Sequence, residues 1–528
     1  MTDDTCEARS SSDVRTGYVD GQNFQQRLVT YSMVDGEALF EGDIVLHPRP
    51  EAGLDDASRG VVITGKRFRW PSGVVPFEIE AGMPNTTRIT DAIAHWHSKT
   101  PMVFVTRNGE SNFVRFRAGS GCSSSVGMSG GGQSLTLGSG CSKGNAIHEI
   151  GHAVGLWHEQ SREDRDQFVT VQLENVEEGR EHNFNQHISD GDDVGTYDYG
   201  SIMHYSANAF SANGQPTIVA PAGQTIGQRT SLSAGDVSAV NHMYFPVLSG
   251  NVASGVFTLR QRSNSRFVDA HEHAGRDFAV VTREPQSNTT QQWLVRPVGG
   301  IYTLRQRSNG RFMDAHEHSG EDFGVVTRGD QNNDTQRWIV MCLGDGEYTL
   351  QQFSSKRLLD AHATQNKDFE MVTRPASGSA AQRWLIRAAG AGSFTLEQKS
   401  TGRFADAHEI AEKDFAMVTR TAQNNSTQEW LFAPLATLCT VQQVSNRRYL
   451  DAYKDTAHDF GAVTRPAQND ADQMWLFRPK GGNLFTIQQW SSMRFLDAHE
   501  IADKDFALVT RAEQSNDTQV WMADRVVL

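Results

Sequence analysis

The chain has 528 residues, 38% of them hydrophobic and 21% charged, and a net charge of −14. That length allows three or four domains of about 100–200 residues, and no apolar run reaches the roughly 18–20 residues that a membrane helix needs. The acidic balance offers no clustered basic face for nucleic acid.

Half of the excess charge lies in residues 1–60, where twelve acids stand against five arginines, a difference of −7. Such a segment is poorly suited to a core of its own. The start, Met1-Thr2-Asp3-Asp4-Thr5-Cys6, has neither the basic residues nor the apolar stretch of a signal peptide.

Residues 148–158 read His-Glu-Ile-Gly-His-Ala-Val-Gly-Leu-Trp-His. His148 and His152 are four apart, so on a helix they share one face and can grip one Zn²⁺. A straight helix could not bring His158 to the same ion, and Gly155 resolves this by ending the helix and turning the chain back. Three imidazoles then leave a fourth position open. Glu149, directly after the first ligand, is the natural general base. The competing reading, an ordinary amphipathic helix with incidental histidines, has to produce five specified positions in eleven by chance.

A second motif follows at Tyr199-Gly200-Ser201-Ile202-Met203-His204-Tyr205. An elongated zinc motif followed by a methionine turn is the metzincin signature. Glu159 after the third histidine, Tyr205 two places after Met203, and the run His158-Glu159-Gln160-Ser161-Arg162 resemble the astacin family of zinc endopeptidases, over roughly residues 61–246. The resemblance implies one Zn²⁺ held by His148, His152 and His158, with Met203 as the apolar floor beneath it. It also implies that Tyr205 is a fifth ligand at rest and holds the oxyanion during reaction. On chemistry alone Tyr205 is equally a core residue. His204 reads as structural.

The same resemblance reaches upstream. Phe40-Glu41-Gly42-Asp43 is similar to the pro-segment motif whose aspartate occupies the open zinc position, which makes residues 1–60 a latency segment; a lone Asp43 would otherwise be one more solvated acid. Trp70-Pro71-Ser72-Gly73-Val74-Val75-Pro76 resembles the family's opening strand, which places the new amino terminus near Val61, with Glu159 close to the freed amine. Cys122 and Cys141 match one family disulfide, closing a loop worth about 3 kcal/mol in the chain-entropy account. A disulfide and a latency segment imply secretion, although no signal peptide is visible in the sequence.

Beyond about residue 250 a period appears. Asp-Ala recurs at Asp269, Asp314, Asp360, Asp406, Asp451 and Asp497, and Gln-x-Trp at Trp293, Trp338, Trp384, Trp430, Trp475 and Trp521, both at intervals of 45 or 46. Short alternating strands with frequent turns indicate an all-β fold. Three such units build a β-trefoil, so six build two, and Gln-x-Trp resembles the ricin-B type. A six-bladed propeller is the rival, without its Gly-His and Trp-Asp signatures. The expected organisation is multidomain: residues 1–60, an α+β metzincin domain at 61–246, and two all-β trefoils at 249–390 and 391–528.

Sugar-binding ricin-B trefoils use an early aspartate, an aromatic ring and an asparagine before Gln-x-Trp. Here the aspartate is present, but the position before the glutamine holds Thr290, Thr335, Ala381, Thr427, Asp472 and Thr518, and the stacking position holds valine, as at Val281, unless Phe278 and its equivalents replace it. The repeated polar set is either a different ligand site or a set of turn and lobe contacts copied by duplication. As a site it is best retained in units one, two, four and six: Asp269, His271 and Asn288; Asp314, His316 and Asn333; Asp406, His408 and Asn425; Asp497, His499 and Asn516.

The expected function is a secreted, latent zinc endopeptidase acting on proteins or peptides and targeted by trefoils to glycans or glycoproteins. The alternative is a lectin-type binding protein with a vestigial protease domain.

Overall fold

The structure, a computed structural model, describes residues 7–9, 11–19, 27–46, 68–186, 193–244, 251–252, 254–344, 346–390, 392–468 and 470–526. The chain divides into two compact units, one ending at Tyr244 and one beginning at Phe245. The expected cut near Val61 lies outside the described residues. Among the described residues no helix is long and apolar enough to cross a membrane.

The first unit is built on a nine-stranded sheet. Its first four strands, β1 (Val14–Val19), β2 (Arg27–Val34), β3 (Glu37–Phe40) and β4 (Ile44–Leu46), form an antiparallel meander. The other five are β5 (Val74–Ile79), β6 (Val103–Thr106), β7 (Phe113–Arg117), β8 (Cys122–Ser124) and β9 (Gly132–Leu137). The order is β1-β2-β3-β4-β8-β9-β7-β5-β6. The acidic segment therefore joins the sheet of the following domain, through β4 running parallel to β8 at Ile44 and Ser124.

Its apolar residues explain why it can. Val29, Tyr31, Ala38, Phe40 and Ile44 cluster with Val126 and are covered by Phe68 and Trp157 of the following domain. The segment completes a core with borrowed surface instead of building its own.

Helix α1 (Thr87–Lys99) buries Ile89, Ala92, Ile93 and Trp96, one face of a 3.6-residue period. It packs on α2 (Lys143–Val154), where the Trp96 indole N–H donates to the Ile147 carbonyl at 3.1 Å. A third helix, α3 (Ala234–Tyr244), closes the unit. The disulfide Cys122–Cys141 links β8 to the turn before α2.

The second unit is all-β, and its six repeat tryptophans are fully buried. Each indole N–H donates to a backbone carbonyl 25 residues upstream in its own repeat, as Trp293 does to Val268 at 2.9 Å. The six repeats form two trefoils, but not at the expected boundary. One core gathers repeats two, three and four, from Tyr302 to Trp430. The other gathers repeat one with repeats five and six, from Val252 to Val295 and from Cys439 to Ala523. The division expected at 390/391 is instead a hairpin inside one trefoil, turning at Gly390 and Gly392 with φ of +91° and +75°.

Two long strands, Trp293–Gln306 and Trp430–Gln443, each leave one trefoil and enter the other, and they pair antiparallel along their length. Strand Val520–Arg525 pairs with Gly255–Gln261 and closes the discontinuous trefoil.

Candidate active site

Helix α2 starts with a reciprocal cap: the Ser142 hydroxyl accepts from the Asn145 backbone N–H, and the Asn145 side chain accepts from the Ser142 N–H. It ends at Gly155, whose φ of +122° is open to glycine and strained for other residues. His148 and His152 project from the helix, and the reversal at Gly155 carries His158 back to them. The three rings lie 4.7–5.3 Å apart between centroids.

All three imidazoles are fully buried. Each Nδ1 is engaged: His148 with the Ile202 carbonyl, His152 with the Leu156 carbonyl and His158 with the Glu41 carboxylate, each at 2.8 Å. The carbonyls fix the proton of His148 and His152 on Nδ1, and the Glu41 carboxylate does the same for His158, so each ring turns its Nε2 toward the site. The three Nε2 atoms have no hydrogen-bond partner and converge on the Asp43 carboxylate at 3.3, 3.7 and 3.3 Å for His148, His152 and His158. Three imidazole nitrogens and one carboxylate oxygen within 4.8 Å of one another match the donor set of a zinc site.

The electrostatics follow from this crowding. Burial opposes the charge on Asp43, but the imidazoles around it outweigh burial and hold its pKa well below the carboxylate range. Burial lowers His152 to about 3. Glu149 is fully buried and its carboxyl oxygens have no hydrogen-bond partner. Burial first, then the negative charges of Asp43 and Glu7, push its pKa well up.

The methionine turn lies beneath. A Cβ on Gly151 would meet the Met203 sulfur at 2.6 Å, so glycine there lets the turn press against α2. Asp236 on α3 pins that turn, accepting from the Ser201 hydroxyl at 2.7 Å and the Ile202 N–H at 3.0 Å. His204 is held by the Tyr197 hydroxyl and the Tyr205 carbonyl, each at 2.7 Å, and burial lowers its pKa to about 4. Tyr205 is buried with its ring 4.6 Å from that of His158. Its hydroxyl donates to the Glu41 carbonyl at 2.6 Å.

Comparison with known proteins decides the family. Residues 62–245 match the model of the Astacin peptidase family. This part of the chain is an astacin domain. Residues 243–328 and 334–418 match the ricin-type beta-trefoil lectin domain-like model. Protein SpAN of Strongylocentrotus purpuratus is 37% identical over 228 residues, 39% of this chain and 37% of that protein. Meprin A subunit beta of Homo sapiens is 39% identical over 219 residues, 40% of this chain and 30% of that protein. The chain thus spans well under half the length of these relatives. Among solved structures, high choriolytic enzyme 1, a hatching enzyme zinc-protease of Oryzias latipes, is 34% identical with a TM-score of 0.31, over 33% of this chain and 90% of that one.

In the astacin domain, Glu159 accepts from the Asp198 N–H at 2.8 Å and lies 3.6 Å from Arg162, and burial raises its pKa to about 8. Three further contacts were not singled out in the sequence. Glu41 accepts from the Ser161 hydroxyl at 2.7 Å as well as engaging His158. Glu7 pairs with Arg229 at 2.6 Å and accepts from the Asn145 amide. Asp236 carries a signal that could have been read, since Ser233 three residues before it caps α3 by accepting the Asp236 N–H at 2.9 Å.

In the trefoils the polar set is engaged within the fold. Asp269, Asp314, Asp406 and Asp497 are buried, and each accepts the N–H of the alanine that follows at 2.8 Å. His271, His316, His408 and His499 reach aspartates of neighbouring repeats, Asp505, Asp414, Asp368 and Asp459, at 2.9–3.3 Å. Asn288, Asn333, Asn425 and Asn516 each accept from the threonine hydroxyl two residues on, within their own turns. Phe278 lies 3.6 Å beneath the Arg448 guanidinium of a neighbouring repeat, so its face is taken. The histidine–aspartate contacts and the Phe278–Arg448 contact run between repeats and join the lobes of each trefoil.

Proposed function

We propose that this chain is the latent precursor of a zinc-dependent endopeptidase. The observation that carries the reading is the convergence of three buried imidazole Nε2 atoms, each with its Nδ1 tied, on the carboxylate of an upstream segment. His148, His152 and His158 would hold the ion, whose Lewis acidity eases addition of water to a peptide carbonyl.

The side chains supply the rest. Glu149 takes the proton of the attacking water and passes it to the leaving amide nitrogen. The Tyr205 hydroxyl donates to the carbonyl oxygen as it gains charge. Its contact with the Glu41 carbonyl places a backbone carbonyl against that donor.

Latency follows from the same contacts. Asp43 occupies the fourth position, and Glu41 and Glu7 fix the segment on either side of it. Cleavage near Val61 removes all three acids, including Asp43 and Glu7, whose negative charges add to burial in raising the Glu149 pKa. The buried Cys122–Cys141 bridge supports a secreted protein. The trefoils serve to concentrate the enzyme on its substrates.

The test is an assay of protein hydrolysis before and after removal of the segment, with and without a chelator. Activity that appears on cleavage and vanishes with chelation supports the reading. A zinc-loaded, cleaved protein without activity leaves a binding protein with a vestigial protease domain.

A further inference from the structure

In three of the six trefoil repeats the residue three places after the Gln-x-Trp tryptophan contacts a polar side chain on the adjoining strand. Across the six repeats that position holds Arg296, Met341, Arg387, Ala433, Arg478 and Asp524. Arg387 pairs with Glu397, the Arg478 Nε donates to Gln488 at 2.9 Å, and Asp524 lies 3.9 Å from Arg260. Gln351 and Gln442, the equivalents of Glu397 in two further repeats, donate to backbone carbonyls at 2.7 and 2.8 Å.

Repeat two departs from this pattern. Its equivalent residue is Arg305, on the strand that pairs with Leu431 and Ala433. Ala433 is the smallest residue in its set and offers no polar group. Arg305 is exposed, and its side chain has no hydrogen-bond or ion-pair partner among the described residues. Beside Ala433 lies a cleft of about 360 Å³, walled by Phe312, Phe432, Asn332, Asn333 and Arg337 and by Asp330, whose carboxylate accepts the Asn332 N–H at 3.0 Å. That volume lies within the range of about 300–1,000 Å³ typical of small-ligand sites.

The lining specifies a ligand. Phe432 is held in place edge-on to Phe394 and Tyr302, at 5.5 and 6.0 Å between centroids. Arg337 is fixed by Asp334 at 2.8 Å and Asn332 at 3.3 Å. Two aromatic rings suit the apolar face of a sugar, the amides suit hydroxyls, and an unpaired guanidinium suits an anion in bidentate geometry. We propose that this cleft binds an anionic saccharide, with the sugar ring against Phe312 and Phe432 and its carboxylate or sulfate on Arg305. The site shares only Asn333 with the repeated polar set, it occurs where two repeats meet across the long strands, and it does not depend on the peptidase reading.

The test is calorimetric titration of the full chain with methyl glucuronide, glucose 6-sulfate, methyl glucoside and inorganic sulfate. One or both acidic sugars should bind at least about tenfold more tightly than methyl glucoside and inorganic sulfate. Arg305→Gln and Ala433→Met should each weaken that binding about tenfold or more with the melting temperature unchanged. Methionine occupies the equivalent position at Met341, so Ala433→Met fills the cleft with a side chain the fold accepts. Arg260→Gln, in repeat one, should leave binding unchanged. The proposal is overturned if neither acidic sugar binds at about 10 mM, if methyl glucoside or inorganic sulfate binds equally well, or if Arg305→Gln and Ala433→Met both bind as the parent does.

Discussion

Glu7 and Arg229 form a buried ion pair of 2.6 Å although 222 residues separate them. The same Arg229 donates to the His204 carbonyl at 3.0 Å, so the pair ties the upstream acidic segment to the methionine turn. Burial alone would raise the Glu7 pKa, but the Arg229 charge outweighs it and the pKa falls. Removing one partner of a buried pair costs up to about 3–5 kcal/mol. Glu7→Gln in the uncleaved chain should therefore raise residual hydrolysis of a small peptide, while the cleaved enzyme should be unaffected. Equal residual activity in parent and variant would remove Glu7 from the latch.

Gly42 sits tightly between that segment and the domain. Its φ is +82°, and a Cβ there would meet the Glu7 carbonyl and the Phe210 ring, each at 2.8 Å. Gly42→Ala should push Asp43 out of register and activate the precursor without cleavage. Asp43→Ala should do the same by removing the carboxylate itself. Both are read as activity of protein shown to be intact on a denaturing gel.

Glu149→Ala should keep zinc near one equivalent and keep the fold, since the three histidines and their Nδ1 contacts are untouched. Hydrolysis should fall by about a hundredfold or more, the usual effect of losing a general base. Zinc analysis and a turnover assay on the cleaved protein check both halves, and activity above a tenth of the parent's would reject the role.

Asp236→Ala should act at a distance. It frees the Ser201 hydroxyl and the Ile202 N–H, and Ile202 carries the carbonyl that fixes His148. Loss of such an outer contact commonly weakens metal affinity by about 10–100-fold. A competitive chelator titration measures this, and unchanged zinc affinity would show that the turn holds itself.

The zinc helix was legible because its chemistry is local. A four-residue spacing and one glycine suffice to place three imidazoles together, and the structure puts Gly155 at the reversal. Asp43 was legible only through resemblance. Glu7 stands among twelve acids in residues 1–60, and nothing in its immediate neighbours separates it from solvated ones, while Glu41 lies inside the Phe40–Asp43 motif, in which the resemblance assigns a role to Asp43 alone. Their partners, Arg229, His158 and Ser161, lie 117 to 222 residues away, so the contacts exist only after folding. The grouping of repeats was missed for a different reason: a regular period is silent about which units close on one another.

The turns did carry that information. Joints two-to-three, three-to-four and five-to-six have glycines at positive φ, at Gly344 and Gly346, Gly390 and Gly392, and Gly481 and Gly482. Joint four-to-five reads Leu435-Ala436-Thr437, and its strand runs straight through into the other trefoil. Joint one-to-two has Gly299 and Gly300, where the long strand also continues with a register shift and no reversal. Residues 299–435 contain all three repeats of one core and both strands that close its ring, Tyr302–Gln306 against Trp430–Pro434. Expressed alone, this fragment should fold as a monomeric β protein with a cooperative thermal transition. Residues 249–390 hold repeats one to three; they lack Ala405, Met417 and Trp430 of one core and every repeat-five and repeat-six residue of the other. A core missing a fully buried tryptophan and its neighbours loses about 3–5 kcal/mol for that ring alone, a large share of what holds a domain of this size. That second fragment should be unfolded or aggregated by circular dichroism and size exclusion. A cooperative transition in residues 249–390 and none in residues 299–435 would reverse the assignment of the two cores.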